Sequence, residues 1–148
     1  MIVNNFKSFP KTGKLLGIDW GEKRIGLAIS SPDQKFVFTR DSRSGIRDPE
    51  FVNFIQDEDI VGIVLGLPLR LDGTESKTTA RVREFAKDLQ NKTDVPIILF
   101  DESLTSFEAS SLSLRGARRA TRQSRNDTLD SKSAQVLLEN AISFISRL

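Results

Sequence analysis

The chain has 148 residues and a mass of 16.6 kDa; 38% of its residues are apolar, 28% are charged, and it holds nine Gly and five Pro. That composition excludes collagenous, mucin-like and wholly disordered classes, and the length suits one domain burying about two-thirds of its unfolded surface. Cys, His and Tyr are all absent, which removes disulfides, thiolate chemistry, Ser-His triads and ordinary zinc catalysis. Any catalysis therefore falls to carboxylates, Lys, Arg, hydroxyls or an oxygen-liganded metal such as magnesium or manganese. With no window of eighteen apolar residues and no signal-peptide pattern, the sequence predicts a cytoplasmic protein without a membrane span.

Net charge is only +2, from 22 basic and 20 acidic residues, but it is unevenly spread. Between Glu108 and Asp127 lie Arg115, Arg118, Arg119, Arg122 and Arg125 with no acid, leaving the rest of the chain at −3. A basic segment set apart on an otherwise acidic chain points to a polyanion partner.

In chain order, residues 1–13 lack periodicity and read as a flexible lead-in, so that the domain proper is expected over 14–148. Lys14–Asp19 and Arg24–Ser30 are short apolar runs around Gly21, the pattern of a hairpin, and Phe36–Arg40 adds a third strand after the Ser31–Asp33 turn. Pro49–Gln56 reads as a helix capped by Asp48. Ile60–Leu67 is almost continuously apolar, as a strand covered on both faces should be, and Pro68 ends it. Asp72 and Glu75 have capping-box spacing, which predicts a helix over 74–90 with Ala80, Val82, Phe85, Ala86 and Leu89 inward. Val95–Phe100 reads as a second buried strand, followed by a helix from Thr105 to about Leu114. The arginine stretch, without an apolar stripe, reads as a loop. A last helix over 129–147 carries Ala134, Leu137, Leu138, Ala141, Ile142 and Ile145 on one face.

Three groups of acids stand where an interior residue is not expected. Asp19 closes the first apolar strand, the pair Asp101 and Glu102 closes a later one, and Asp130 lies in the first turn of the last helix, on the line of Ala134, Leu137 and Ala141. Each has a structural explanation of its own, as a turn residue or as an anion at a helix N-terminus. Jointly, acids on separate elements can gather hard divalent cations and hydrolyse a phosphodiester without histidine. Ligands of open α/β sheets bind beyond the carboxyl ends of parallel strands, where Asp19 and Asp101 are expected.

Four segments then carry a family resemblance: GIDWGEKRIGLA from Gly17, VLGLPLRLDGTE from Val64, DESLTSFEA from Asp101 and LDSKSAQVLLE from Leu129. In this order and spacing the chain resembles the YqgF/RuvX family of Holliday-junction-resolvase-like proteins associated with pre-16S rRNA processing. The resemblance implies an RNase H-like α/β fold, a mixed five-stranded sheet of three antiparallel then two parallel strands flanked by helices. It implies a hydrolase acting on ester bonds, a metal-dependent endonuclease in processing of the 16S rRNA precursor 5′ end and in ribosome biogenesis. The implied catalytic acids are Asp19, Asp101, Glu102 and Asp130, with Asp19, Asp101 and Asp130 as ligands to Mg2+ or Mn2+. Asp101 is favoured over Glu102 as ligand because its short side chain ends the strand directly. Arg70, Arg115, Arg118, Arg119, Arg122 and Arg125 are the expected contacts to a structured rRNA precursor. Two positions depart from the family pattern: Ser103 stands where an Arg usually follows the acid pair, and Arg70 where Asn is frequent.

Two other activities fit the same residues. A Holliday-junction resolvase would use the same chemistry on branched DNA, and a non-catalytic RNA-binding ribosome-assembly module would keep the fold and the arginines alone. The Asp19–Gly26 turn is also similar to the phosphate hairpin of actin-like ATPases and sugar kinases, which need two such domains.

Overall fold

The computed structural model describes residues 1–43, 48–70, 72–101 and 127–148. Strands β1 (Ile2–Val3), β2 (Lys14–Asp19), β3 (Ile25–Ser30), β4 (Val37–Arg43), β5 (Ile60–Leu67) and β6 (Ile97–Asp101) form one sheet in the order β1-β6-β5-β2-β3-β4. β1, β6, β5 and β2 run parallel, and β3 and β4 complete the sheet as an antiparallel meander from β2. The described helices are α1 (Asp48–Asp57), α2 (Lys77–Gln90) and α3 (Asp127–Ser146), with a short 3-10 turn at Phe6–Ser8.

β2, β3, β5 and β6 are the apolar strands because they are covered on both sides. Leu16, Ile18, Ile63, Leu65 and Ile97 join Phe51 and Ile55 of α1 and Val82, Ala86 and Leu89 of α2 on one face. Leu15, Val64, Ile98 and Phe100 join Ala134, Leu137, Leu138, Ala141 and Ile145 of α3 on the other. Each buried Val, Leu, Ile or Phe among them stabilises the fold by about 1.5–3 kcal/mol relative to exposure. Gly17 marks the closest approach of α3: a Cβ there would lie 2.9 Å from Leu138 Cβ and 3.1 Å from the Ala134 carbonyl oxygen. A side chain would push the helix off the sheet.

Two expectations are corrected here. The sheet has six strands instead of five, and the sixth comes from the segment read as a flexible lead-in. β1 pairs with β6, and the Ile97 N–H donates to the Met1 carbonyl at 2.8 Å. Val3, Phe6 and Phe9 are buried under α3, and the Phe6 ring meets the rings of Phe9, Phe100 and Phe144 at 5.4–5.7 Å. The buried Gln34 amide donates to the Pro10 and Gly13 carbonyls at 3.2 and 3.1 Å, closing this segment onto the β3–β4 turn. A two-residue strand and one 3-10 turn are too short to show a period of 2 or 3.6, so the signal was missing from the sequence pattern.

The start of α2 is also shifted. Ser76, not Asp72, is the N-cap: its hydroxyl accepts the Thr79 N–H at 3.3 Å while the Thr79 hydroxyl accepts the Ser76 N–H at 3.0 Å. Asp72 instead holds a turn, accepting from the Thr74 N–H at 2.9 Å and the Thr74 hydroxyl at 2.6 Å. Of the expected inner face of α2, Val82, Ala86 and Leu89 are buried, Phe85 is half-buried, and Ala80 faces out, its place taken by Thr79. The predicted helix over 105–114 and the arginine loop lie outside the described residues.

Candidate functional site

β2, β5 and β6 end together at one edge of the sheet. Register puts Ile18 beside Leu65, and Leu67 beside Asp101. Asp19 and Asp101 are therefore half-buried at the exits of two strands that flank β5, about 10 Å apart sideways by two inter-strand spacings. The middle strand brings no acid to this edge, since it continues as Pro68, Leu69 and Arg70.

Strand alternation assigns the two residues to rows on opposite faces. On β2, Leu16 and Ile18 face α1 and α2 while Leu15 and Gly17 face α3, so Asp19 belongs to the α3 face. On β6, Ile98 and Phe100 face α3 while Ile97 and Leu99 face α1 and α2, so Asp101 belongs to the opposite face. Asp130 lies in α3 one turn before Ala134, the residue that meets Gly17, or about 6 Å along the helix axis. Asp19 and the stretch of α3 next to Asp130 thus share a side of the sheet. Glu102, Ser103, Arg115, Arg118, Arg119, Arg122 and Arg125 lie outside the described residues, as does the Asp130 side chain.

The exit of β5 is a small hairpin. The Arg70 N–H donates to the Thr74 carbonyl at 2.9 Å, the Gly73 N–H to the Arg70 carbonyl at 2.8 Å, and Leu69 bridges Glu75. Gly73 sits at φ +85°, a conformation glycine adopts without a Cβ penalty. Arg70 is exposed on this hairpin, between the strands that end in Asp19 and Asp101. The two hydrogen bonds from Thr74 hold the Asp72 carboxyl below its ordinary range. Opposite, the turn after Asp19 is kept tight by Gly21, where a Cβ would fall 2.6 Å from the Arg24 carbonyl oxygen. Glu22 of that turn pairs with Arg81 of α2. Trp20 packs against the α1/α2 core.

The sequence singled out neither Thr79 nor the Glu22–Arg81 pair. The Ser-x-x-Thr spacing of residues 76–79 was present, but the more acidic Asp72–Glu75 spacing is the commoner cap signature and overshadowed it. Glu22 and Arg81 are too far apart in sequence for any local pattern to connect them.

This architecture has close relatives. Residues 13–143 match the family described as "RuvX: Holliday junction resolvase". The chain belongs to the RuvX family. A protein of Maridesulfovibrio salexigens bearing the name "Putative pre-16S rRNA nuclease" is 43% identical over 134 residues, covering 85% of this chain and 95% of its own. One of the same name from Orientia tsutsugamushi is 38% identical, covering 96% and 94%. In fold, the chain resembles T. thermophilus RuvC solved with a Holliday junction substrate, at TM-score 0.56 and 12% identity over 90% of this chain and 96% of that one. It also resembles the yeast mitochondrial Holliday junction resolvase Ydc2, at TM-score 0.58 and 13% identity over 94% and 81%. The sheet order and these neighbours establish the RNase H-like fold expected from the motifs, and the family places the chain among the nucleases, hydrolases of phosphodiester bonds. No helix among the described residues is long and apolar enough to cross a membrane.

The donor set suits a hard cation. With no Cys or His in the chain, only oxygen ligands are available, which is the preference of Mg2+ and Mn2+. Among the described residues no three acids come together; of the expected ligands Asp19, Asp101 and Asp130, Asp19 lies in the row facing α3, Asp101 in the row of the other face, and the Asp130 side chain is outside the described residues.

Proposed function

We propose that this RuvX protein is a metal-dependent endonuclease that cuts structured precursor rRNA at the 5′ side of 16S rRNA, as a step of ribosome biogenesis in the cytoplasm. The observation that supports this most is the meeting of Asp19, at a strand exit, with the face covered by α3, the helix that carries Asp130. Asp19 and Asp130 would hold Mg2+ or Mn2+, and alternation along β6, which assigns Asp101 to the other face, favours Glu102 as their third partner. That reverses the choice made from side-chain length alone; Asp101 becomes a supporting group on the α1/α2 face. Bound there, the cation supplies Lewis-acid polarisation of the phosphate and of the attacking water.

The protein's own residues do the rest. Carboxylates at the sheet edge accept the proton of the water as its oxygen bonds to phosphorus and the scissile P–O bond breaks, and the leaving oxygen departs with the bonding pair and takes a proton from solvent; with no histidine in the chain, the carboxylates are the acceptors at hand. Arg70 contacts a phosphate from the β5 hairpin, and Arg115, Arg118, Arg119, Arg122 and Arg125 hold the strand by charge. Branched DNA is the second reading, favoured by the family's description and by the junction-bound structural neighbour. The deciding experiment incubates the purified protein with labelled precursor rRNA and with a labelled four-way DNA junction, each with magnesium and with chelator. Magnesium-dependent cleavage of the rRNA alone is expected. Cleavage of the junction alone moves the substrate to DNA, and binding without cleavage of either reduces the protein to a non-catalytic assembly module.

A further inference from the structure

Thr79 is the one charged or polar residue of α2 that is fully buried, and its hydroxyl does more than cap the helix. Capping needs only the exchange with Ser76, in which Thr79 Oγ1 accepts the Ser76 N–H at 3.0 Å. The same hydroxyl also donates to the carbonyl of Pro68, eleven residues back, at the exit of β5. Pro68 and Ser76 are the two ends of the hairpin that carries Arg70. One buried oxygen thereby fastens both feet of the hairpin to the first turn of α2. Other bonds of the hairpin, from Arg70 to Thr74, from Gly73 to Arg70 and from Thr74 to Asp72, run within it and fix its shape, while Leu69 rests on the core at its base. A further polar tie to α2, the Glu75–Arg83 ion pair, is about half exposed on both sides and adds little.

We propose that Thr79 is a positioning residue for nucleic acid: it aims the β5 hairpin so that Arg70 meets a phosphate between the exits of β2 and β6. The inference rests on the nucleic-acid reading above and goes beyond it by assigning the contact's geometry to a buried hydroxyl that touches no substrate. An arginine on a pinned hairpin loses less freedom on binding than one on a swinging hairpin, and that difference is affinity.

The test uses the full-length protein in chelator, so that binding is read without cleavage, with a fluorescently labelled 16S precursor fragment and a labelled four-way DNA junction as probes. Arg70→Ala is expected to weaken binding about 3- to 10-fold and to lower the log–log salt slope by about one. Thr79→Val, which keeps the shape and removes the hydroxyl, is expected to cause a similar loss in the wild-type background and almost none in the Arg70→Ala background. Thr79→Ser, which restores the hydroxyl, should bind like the wild type. All variants are compared at a temperature where circular dichroism shows each of them folded. Equal losses in both backgrounds, or no loss in either, would overturn the assignment. Amide hydrogen exchange separates this outcome from failure of the functional reading. If neither probe binds the wild type, the nucleic-acid reading falls, and with it the proposed purpose of the anchor. Unchanged exchange at Arg70, Gly73 and Ser76 in Thr79→Val would then show that the anchor itself is absent.

Discussion

Asp19 and Asp101 end two parallel strands that flank β5 at the same edge of the sheet, yet they belong to rows on opposite faces. Asp19 continues the row of Leu15 and Gly17 toward α3, whereas Asp101 continues the row of Ile97 and Leu99 toward α1 and α2. The lesson is that reaching the right edge does not suffice for a carboxylate to join a site. Because side chains alternate, the parity of the last strand residue decides which helices it shares its surroundings with.

The largest effect that can break this comparison is catalytic. Asp19→Asn should lower magnesium-dependent cleavage by about 100- to 1,000-fold or more, the scale of losing a group that acts in the transition state, with the fold intact. Asp101→Asn should cost less than about tenfold, and Glu102→Gln should resemble Asp19→Asn. Magnesium titrations of the three variants check the assignment, and it is reversed if Asp101→Asn alone abolishes metal binding.

A second test concerns the α3 face itself. Gly17→Ala should destabilise the protein by about 1–3 kcal/mol, because the new methyl meets the Ala134 carbonyl and Leu138 at contact distances that only a shift of α3 relieves. Chemical denaturation measures the loss. If α3 moves to accommodate the methyl, cleavage should fall along with stability, whereas a change confined to stability would separate helix position from chemistry.

Charge supplies a third and smaller effect. Replacing Arg118, Arg119 and Arg122 together by Ala should reduce the salt slope of nucleic-acid binding by about one per lost phosphate contact, with little change in melting temperature. An unchanged slope would leave Arg70 and the sheet edge as the main binding surface.

The smallest effect is local and pH-dependent. The Asp72 carboxyl is held below its ordinary value of 3.8 by the Thr74 hydroxyl and N–H. A depressed carboxyl stabilises the folded hairpin at every pH above that value, and the contribution fades as pH falls below it toward the folded-state midpoint. An NMR titration of the Asp72 carboxyl should give a midpoint below 3.8, and Thr74→Val should move it upward.

Much of this was legible in the residues themselves. β5 was read to its exact ends as Ile60–Leu67, and β2 as Lys14–Asp19, since runs covered on both faces are nearly all apolar and are closed by Pro68 and by Asp19. The stripe Ala134, Leu137, Leu138, Ala141 and Ile145 is likewise the buried face of α3. The placement of acids at strand exits followed from the same boundaries. Hydrophobic periodicity is a local property, so the sequence by itself determined the longer elements, the family and the chemistry open to a chain without Cys or His. Tertiary structure decided what depends on contacts distant in sequence. It placed β1 beside β6, buried Phe6 and Phe9 under α3, set Asp19 and Asp101 in rows of opposite faces of the sheet, and bonded Thr79 to Pro68. Each of those outcomes is set by register and packing between segments, and no period of 2 or 3.6 encodes which segment will be the neighbour.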